Sequence, residues 1–125
     1  AYQSRGLGDV YKRQGVSVSN IDILKVPGAF ELPVLAQHLA DTSKYAAIIT
    51  LGCVIRGDTP HFDYVAGECA RGIMEVSLNS GVPVIFGVLT TDTAEQARAR
   101  SLSDDADTTA RARAVLAAFN QRVQP

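Results

Sequence analysis

LGCVIRGDTPHFD, residues 51–63, is the stretch on which the fold turns. The apolar run before it, YAAIITL over residues 45–51, reads as a buried strand that ends at Gly52. A short loop with a second glycine, Gly57, follows, and Thr59-Pro60 opens a helix. Threonine is a favoured helix cap and proline suits the first helical position, so Thr59 is the expected N-cap. The first turn of that helix carries His61 and Asp63. A strand, a glycine-bearing loop and a helix N-terminus can hold an anion on backbone N–H groups. The neighbouring imidazole is the side chain suited to moving protons near neutrality. The stretch reads as an active site.

Outward from it, apolar residues Phe62, Val65, Ala66, Cys69, Ile73 and Met74 recur at helical spacing, predicting a helix over 60–79 with a core stripe and Gly81 as its stop. VPVIFGVL at 82–89 is near-continuously apolar, as buried parallel strands are. A helix follows, for which Asp92 is the expected cap with Glu95 in the capping-box position. On the N-terminal side, NIDILKV at 20–26 is a strand candidate ended by Pro27-Gly28, and a helix is expected from Pro33 to about Thr42. His38 on that helix has no visible chemical partner and reads as a surface or half-buried helix residue. SLSDDAD at 101–107 is a polar break before a last helix over 108–123. Strand–helix alternation of this kind implies an α/β fold with a parallel sheet, although three strands make a thin one. Residues 1–14 show neither strand nor helix period and are read as a non-native or disordered leader, with a single domain over 15–125.

Composition bounds the function. Net charge is −1, so no basic footprint points to nucleic acid or an anionic membrane surface. Apolar runs are too short for a bilayer span, and no signal peptide is visible. Two cysteines, Cys53 and Cys69, make no disulfide framework, and a cytosolic protein is the expectation. Two histidines and two cysteines at these spacings match no zinc pattern, and neither a Walker loop nor a GxGxxG is present.

Ligands of parallel sheets bind beyond the carboxyl ends of the strands, and three segments emerge there: residues 26–33, 52–61 and 86–92. They bring together glycines, an aromatic, a carboxylate and a histidine. Plainer readings stand beside this one. Gly52 and Gly57 serve turns equally well, His61 reads equally as an ordinary first-turn helix residue, Phe30 suits a hydrophobic staple of its own helix, and Arg56 with Asp63 makes an ordinary surface ion pair.

Three motifs, VPGAFELP, LGCVIRGDTPHFDYVAGECARGI and GVPVIFGVLTTDTAEQA, occur in an order and spacing that resembles the 6,7-dimethyl-8-ribityllumazine synthase family over residues 15–101. The resemblance implies a flavodoxin-like three-layer α/β/α sandwich assembled into pentamers or multiples of them. It also implies condensation of 5-amino-6-(D-ribitylamino)uracil with 3,4-dihydroxy-2-butanone 4-phosphate, without metal or organic cofactor. By motif, Ala29, Phe30 and Glu31 would line the pocket for the ribityl chain and pyrimidine. Gly52, Cys53 and Val54 would meet the pyrimidine edge through backbone groups. Asp58 and Thr59 would offer N–H groups to phosphate, and His61 would transfer protons. Phe86 and Arg100 would reach the site of a neighbouring subunit, Arg100 pairing with phosphate. An archaeal-type riboflavin synthase and a non-catalytic lumazine- or flavin-binding or shell-forming module are the alternatives.

The chain departs from the family pattern twice. Members begin with a strand bearing a stacking aromatic, then a helix; here residues 1–14 stand where the end of that helix should be. That strand is central in the family's sheet, so a gap is expected between residues 20–26 and 45–51. Near the last helix, Asp107-Thr108-Thr109 replaces Asn-Lys-Gly, removing a phosphate-side lysine.

Overall fold

The apolar run that precedes Gly52 does become a strand, and the strand carries straight through the glycine. In the computed structural model, which describes residues 18–101, β1 is Ile48–Ile55. The chain enters it from a short 3-10 turn at Ala29–Glu31 and helix α1, Leu32–Asp41. After β1 come α2, His61–Ser80, β2, Val84–Thr91, and α3, Ala94–Ser101. β1 and β2 are parallel, with Ile48 opposite Val84 and Ile55 opposite Thr91. The α/β class with a parallel sheet is therefore as expected. The leader, the polar break beyond Ser101 and the last helix lie outside the described residues.

Several boundaries differ from the sequence reading, each for a physical reason. β1 starts three residues later and ends four residues later than expected, because the β2 ladder extends to Thr91 and holds 52–55 in strand form. A Cβ at Gly52 would meet the Leu32 and Val88 side chains at 3.7 and 3.8 Å, ordinary van der Waals contact, so the strand does not require glycine there for space. Thr59 does not cap α2; the cap position is Pro60, and no side chain bonds to the leading N–H groups. Asp92 and Glu95 do not cap α3. Thr93 does, its Oγ1 accepting from the Gln96 N–H at 3.1 Å, while Gln96 Oε1 accepts from the Thr93 N–H at 3.2 Å. That reciprocal pair is a capping box one residue further on.

NIDILKV is not a strand: a 3-10 turn covers Val18–Asn20, and residues 21–26 have no regular structure. A strand exists through its ladder partner, and among the described residues none lies beside this segment. A trough of about 730 Å³ separates it from β1, lined by Ile21, Ile23, Leu35, Leu39, Ile49 and Leu51 among others. Ile23 and Leu24 are about half exposed as a result. The Tyr45 hydroxyl donates to Asp22 Oδ2 at 2.7 Å, joining two of the trough's lining residues. That bond pushes the Tyr45 pKa up, since the phenol donates to a carboxylate.

Among the described residues the core has two parts. Ala36 and Ala40 of α1 meet Ile48 and Val76. Cys69 and Ile73 of α2 meet Val88, with Ala29, Leu32, Val54 and Phe86 around them. On α2 the buried line runs Cys69–Ile73–Val76, and Met74, expected inside, is 59% exposed. It follows Ile73 directly and so points about 100° away from the stripe. Gly81 ends α2 as expected, with φ +73° and its N–H donating to Ser77 O at 3.1 Å.

α1 and α2 cross where Gly72 meets Pro33. A Cβ at position 72 would lie 2.7 and 2.8 Å from the Pro33 ring carbons. Gly72→Ala gains about 1 kcal/mol of helix propensity. It forces overpacking against a rigid ring that costs about 1–3 kcal/mol. A net destabilisation on the order of 1 kcal/mol is expected in urea unfolding; a variant more stable than the parent would mean the helices separate freely.

Candidate active site

The residues singled out in the sequence fall into three groups. Ala29, Gly52, Val54 and Phe86 gather on one side of the sheet, around Leu32 and the Cys69–Ile73–Val88 core. Glu31 closes the turn before α1, its N–H donating to Gly28 O at 3.2 Å, while Phe30 is 55% exposed beside it. Cys53 is exposed and, by strand alternation, faces away from Gly52 and Val54. Only its backbone belongs with theirs. The other thiol, Cys69, is sealed in the core, and burial pushes its pKa up.

The second group is the loop from β1 to α2. Arg56, Gly57, Asp58, Thr59, Pro60 and His61 are all exposed, and nothing lies within 4 Å of where a Gly57 side chain would begin. His61 is the first residue of α2. The Asp63 N–H donates to Pro60 O at 3.0 Å, and with no side-chain cap the N–H groups of His61 and Phe62 at the start of this 20-residue helix are left to solvent or to a bound anion. The loop and the imidazole thus open outward together.

Arg100 belongs to the third group, at the carboxyl edge of the sheet. A cleft of about 550 Å³ is lined there by Arg56, Phe62, Thr90, Asp92, Gln96 and Arg100, with Thr91 and Ala99. His61 is not among its lining residues. Arg56 makes the polar contacts that join two walls of this cleft, which spacing alone presents only as an ordinary ion pair. Its Nε donates to Asp92 Oδ1 at 2.8 Å and its Nη1 to Asp63 Oδ1 at 3.3 Å. The guanidinium carbon sits 4.4 Å from the centroid of the Phe62 ring. The hydrogen bond to Asp92 is the largest cause that raises the Arg56 pKa; partial desolvation opposes it, and the charges of Asp63 and Asp92 add to the rise. The Asp63 contact was foreseeable from spacing; the Asp92 contact needs the strand register, which sets Ile55 opposite Thr91.

The sequence model of the 6,7-dimethyl-8-ribityllumazine synthase family matches residues 4–122 of the 125-residue chain. This chain belongs to that family. Its parallel α/β sheet agrees with the flavodoxin-like lumazine synthase fold. Family membership ties the chain to riboflavin biosynthesis, to transferase chemistry and to small-molecule substrates. Among the described residues no helix is long and apolar enough to cross a membrane.

Proposed function

We propose that this chain, as a lumazine synthase, condenses 5-amino-6-(D-ribitylamino)uracil with 3,4-dihydroxy-2-butanone 4-phosphate to give 6,7-dimethyl-8-ribityllumazine. The observation that supports this best is the exposed loop of residues 57–60 leading into an uncapped α2 with His61 at its first position. The amine adds to the ketone carbonyl and water leaves to give an imine. Loss of inorganic phosphate, ring closure and loss of a second water complete the product. Phosphate departure builds negative charge on the leaving group. The amides of Asp58 and Thr59, the α2 dipole and the Arg100 guanidinium would stabilise it. His61 would carry protons in imine formation and elimination.

Ala29, Phe30 and Glu31 would enclose the ribityl chain and pyrimidine, with Gly52, Cys53 and Val54 contacting the pyrimidine edge through backbone groups. Phe86 and Arg100 would complete the site of an adjoining copy in a pentamer or a multiple of one. The reaction needs no metal or organic cofactor, and the expected compartment is the cytoplasm. Holding both substrates in register would supply much of the acceleration.

Mixing both substrates with the chain and following the lumazine chromophore together with released phosphate tests the reading. Riboflavin formed from lumazine alone would instead favour the archaeal-type riboflavin synthase. Lumazine binding without turnover would favour a binding or shell-forming module. Arg100→Ala is expected to raise KM for the phosphorylated ketone about tenfold, the loss of one charge-assisted contact. An equal rise for the uracil substrate in the same steady-state assay would contradict the phosphate assignment.

A further inference from the structure

We propose that Arg56 is a positioning residue that sets the conformation of the phosphate-binding loop by gripping both of its ends and fastening them to the β2–α3 turn. The inference rests on the proposed function for what the loop binds, and on the geometry alone for how the loop is held.

The Arg56 N–H donates to Thr91 O at 2.9 Å, which closes the strand ladder. From there residues 57–60 run to α2 without regular structure. Packing does not hold them: all four are exposed, and space beside Gly57 is open. Among the described residues, no side-chain hydrogen bond reaches 57–60 themselves. The Arg56 guanidinium spans the loop instead. It bonds Asp63 and lies over Phe62, both in the first turn of α2, while its Nε holds Asp92 just beyond β2. One planar fork thereby fixes the take-off and landing of a four-residue loop relative to a third element. Restricting loop ends reduces the freedom that must be lost when a ligand orders the loop.

Each ion pair alone is a half-exposed surface contact, of the sort that adds little to stability. Position is what the three contacts jointly determine. Charge points the same way: one guanidinium and two carboxylates sum to −1, so the cluster does not itself attract an anion. A guanidinium fork serves two carboxylates and a ring at once, which a lysine ammonium cannot reproduce.

Three variants test this: Arg56→Met, Arg56→Lys and Asp63→Ala, each with separate KM values for the two substrates and an inorganic phosphate titration followed by ³¹P NMR. Arg56→Met is expected to raise KM for the ketone phosphate about tenfold. KM for the uracil substrate should stay within about twofold, with Arg56→Lys intermediate. Asp63→Ala separates position from charge. It removes a negative charge near the anion yet loosens the grip, so positioning predicts weaker phosphate binding and simple electrostatics predicts tighter binding. Tighter binding in Asp63→Ala, equal KM rises for both substrates, or wild-type phosphate affinity in Arg56→Met would overturn the proposal. If the wild-type chain makes no lumazine, the proposed function fails while the phosphate titration still decides the role of Arg56. Should Arg56→Met not fold, Arg56→Lys and Asp63→Ala carry the same test.

Discussion

His61→Ala is expected to lower kcat by about 10²- to 10⁴-fold, the usual contribution of a positioned general acid–base. Fold and oligomeric state should be unchanged. The imidazole is exposed at the first residue of α2 and belongs to neither part of the core. Removing it leaves no cavity, so stability has little to lose. The parts proposed to hold phosphate, the loop amides and Arg100, are not altered by this substitution, so KM for the ketone phosphate should move much less than kcat. Steady-state kinetics with circular dichroism and size-exclusion chromatography would check both halves. A collapsed oligomer, or a wild-type kcat, would mean that His61 is structural or incidental.

The second large effect concerns stability. Ile73→Ala should cost about 2–5 kcal/mol, the range for deleting a buried aliphatic side chain without full collapse of the site. Ile73 is 2% exposed and sits with Cys69 and Val88 where α2 meets the sheet. A domain holds only about 5–15 kcal/mol in total, so equilibrium urea unfolding should show a large shift of the midpoint. Ala29, Val54 and Phe86 pack against the same cluster. Since Ala29 and Val54 are proposed to line the pyrimidine pocket, the substitution should also weaken uracil binding at temperatures where the chain remains folded. A loss under about 1 kcal/mol would mean that this junction repacks, contrary to the interdigitated core described here.

Why some of this was legible in the sequence and some was not follows from the range of the interactions. The apolar run into Gly52, the α2 stripe through Cys69 and Ile73, and Gly81 as a stop are local patterns with local causes. They were readable. Capping was partly readable: Thr93-x-x-Gln96 is as good a capping-box spelling as Asp92-x-x-Glu95, and choosing between them depends on where β2 ends. Asp92 instead turns its carboxylate to Arg56, 36 residues away in sequence, and α3 begins one residue too late for it to cap. No local pattern contains that fact. Residues 20–26 fail as a strand for the same kind of reason. Their composition is right, but pairing is a property of two segments, and a trough stands where the partner would be. The candidate site divides similarly. Loop, helix start and His61 were evident from glycine, proline and histidine spacing, whereas the Arg56 clamp required the register of β1 on β2.

The two sulfhydryls give the chain an internal gauge of its own opening. One, on the outer face of β1, is addressable at any time; the other, at 0% exposure inside α2, can meet a reagent only when the helix leaves the sheet. One equivalent of reactive thiol therefore marks an intact molecule and two mark one that has come apart. The rate at which the second appears reports how often that happens under conditions where no spectroscopic transition is visible.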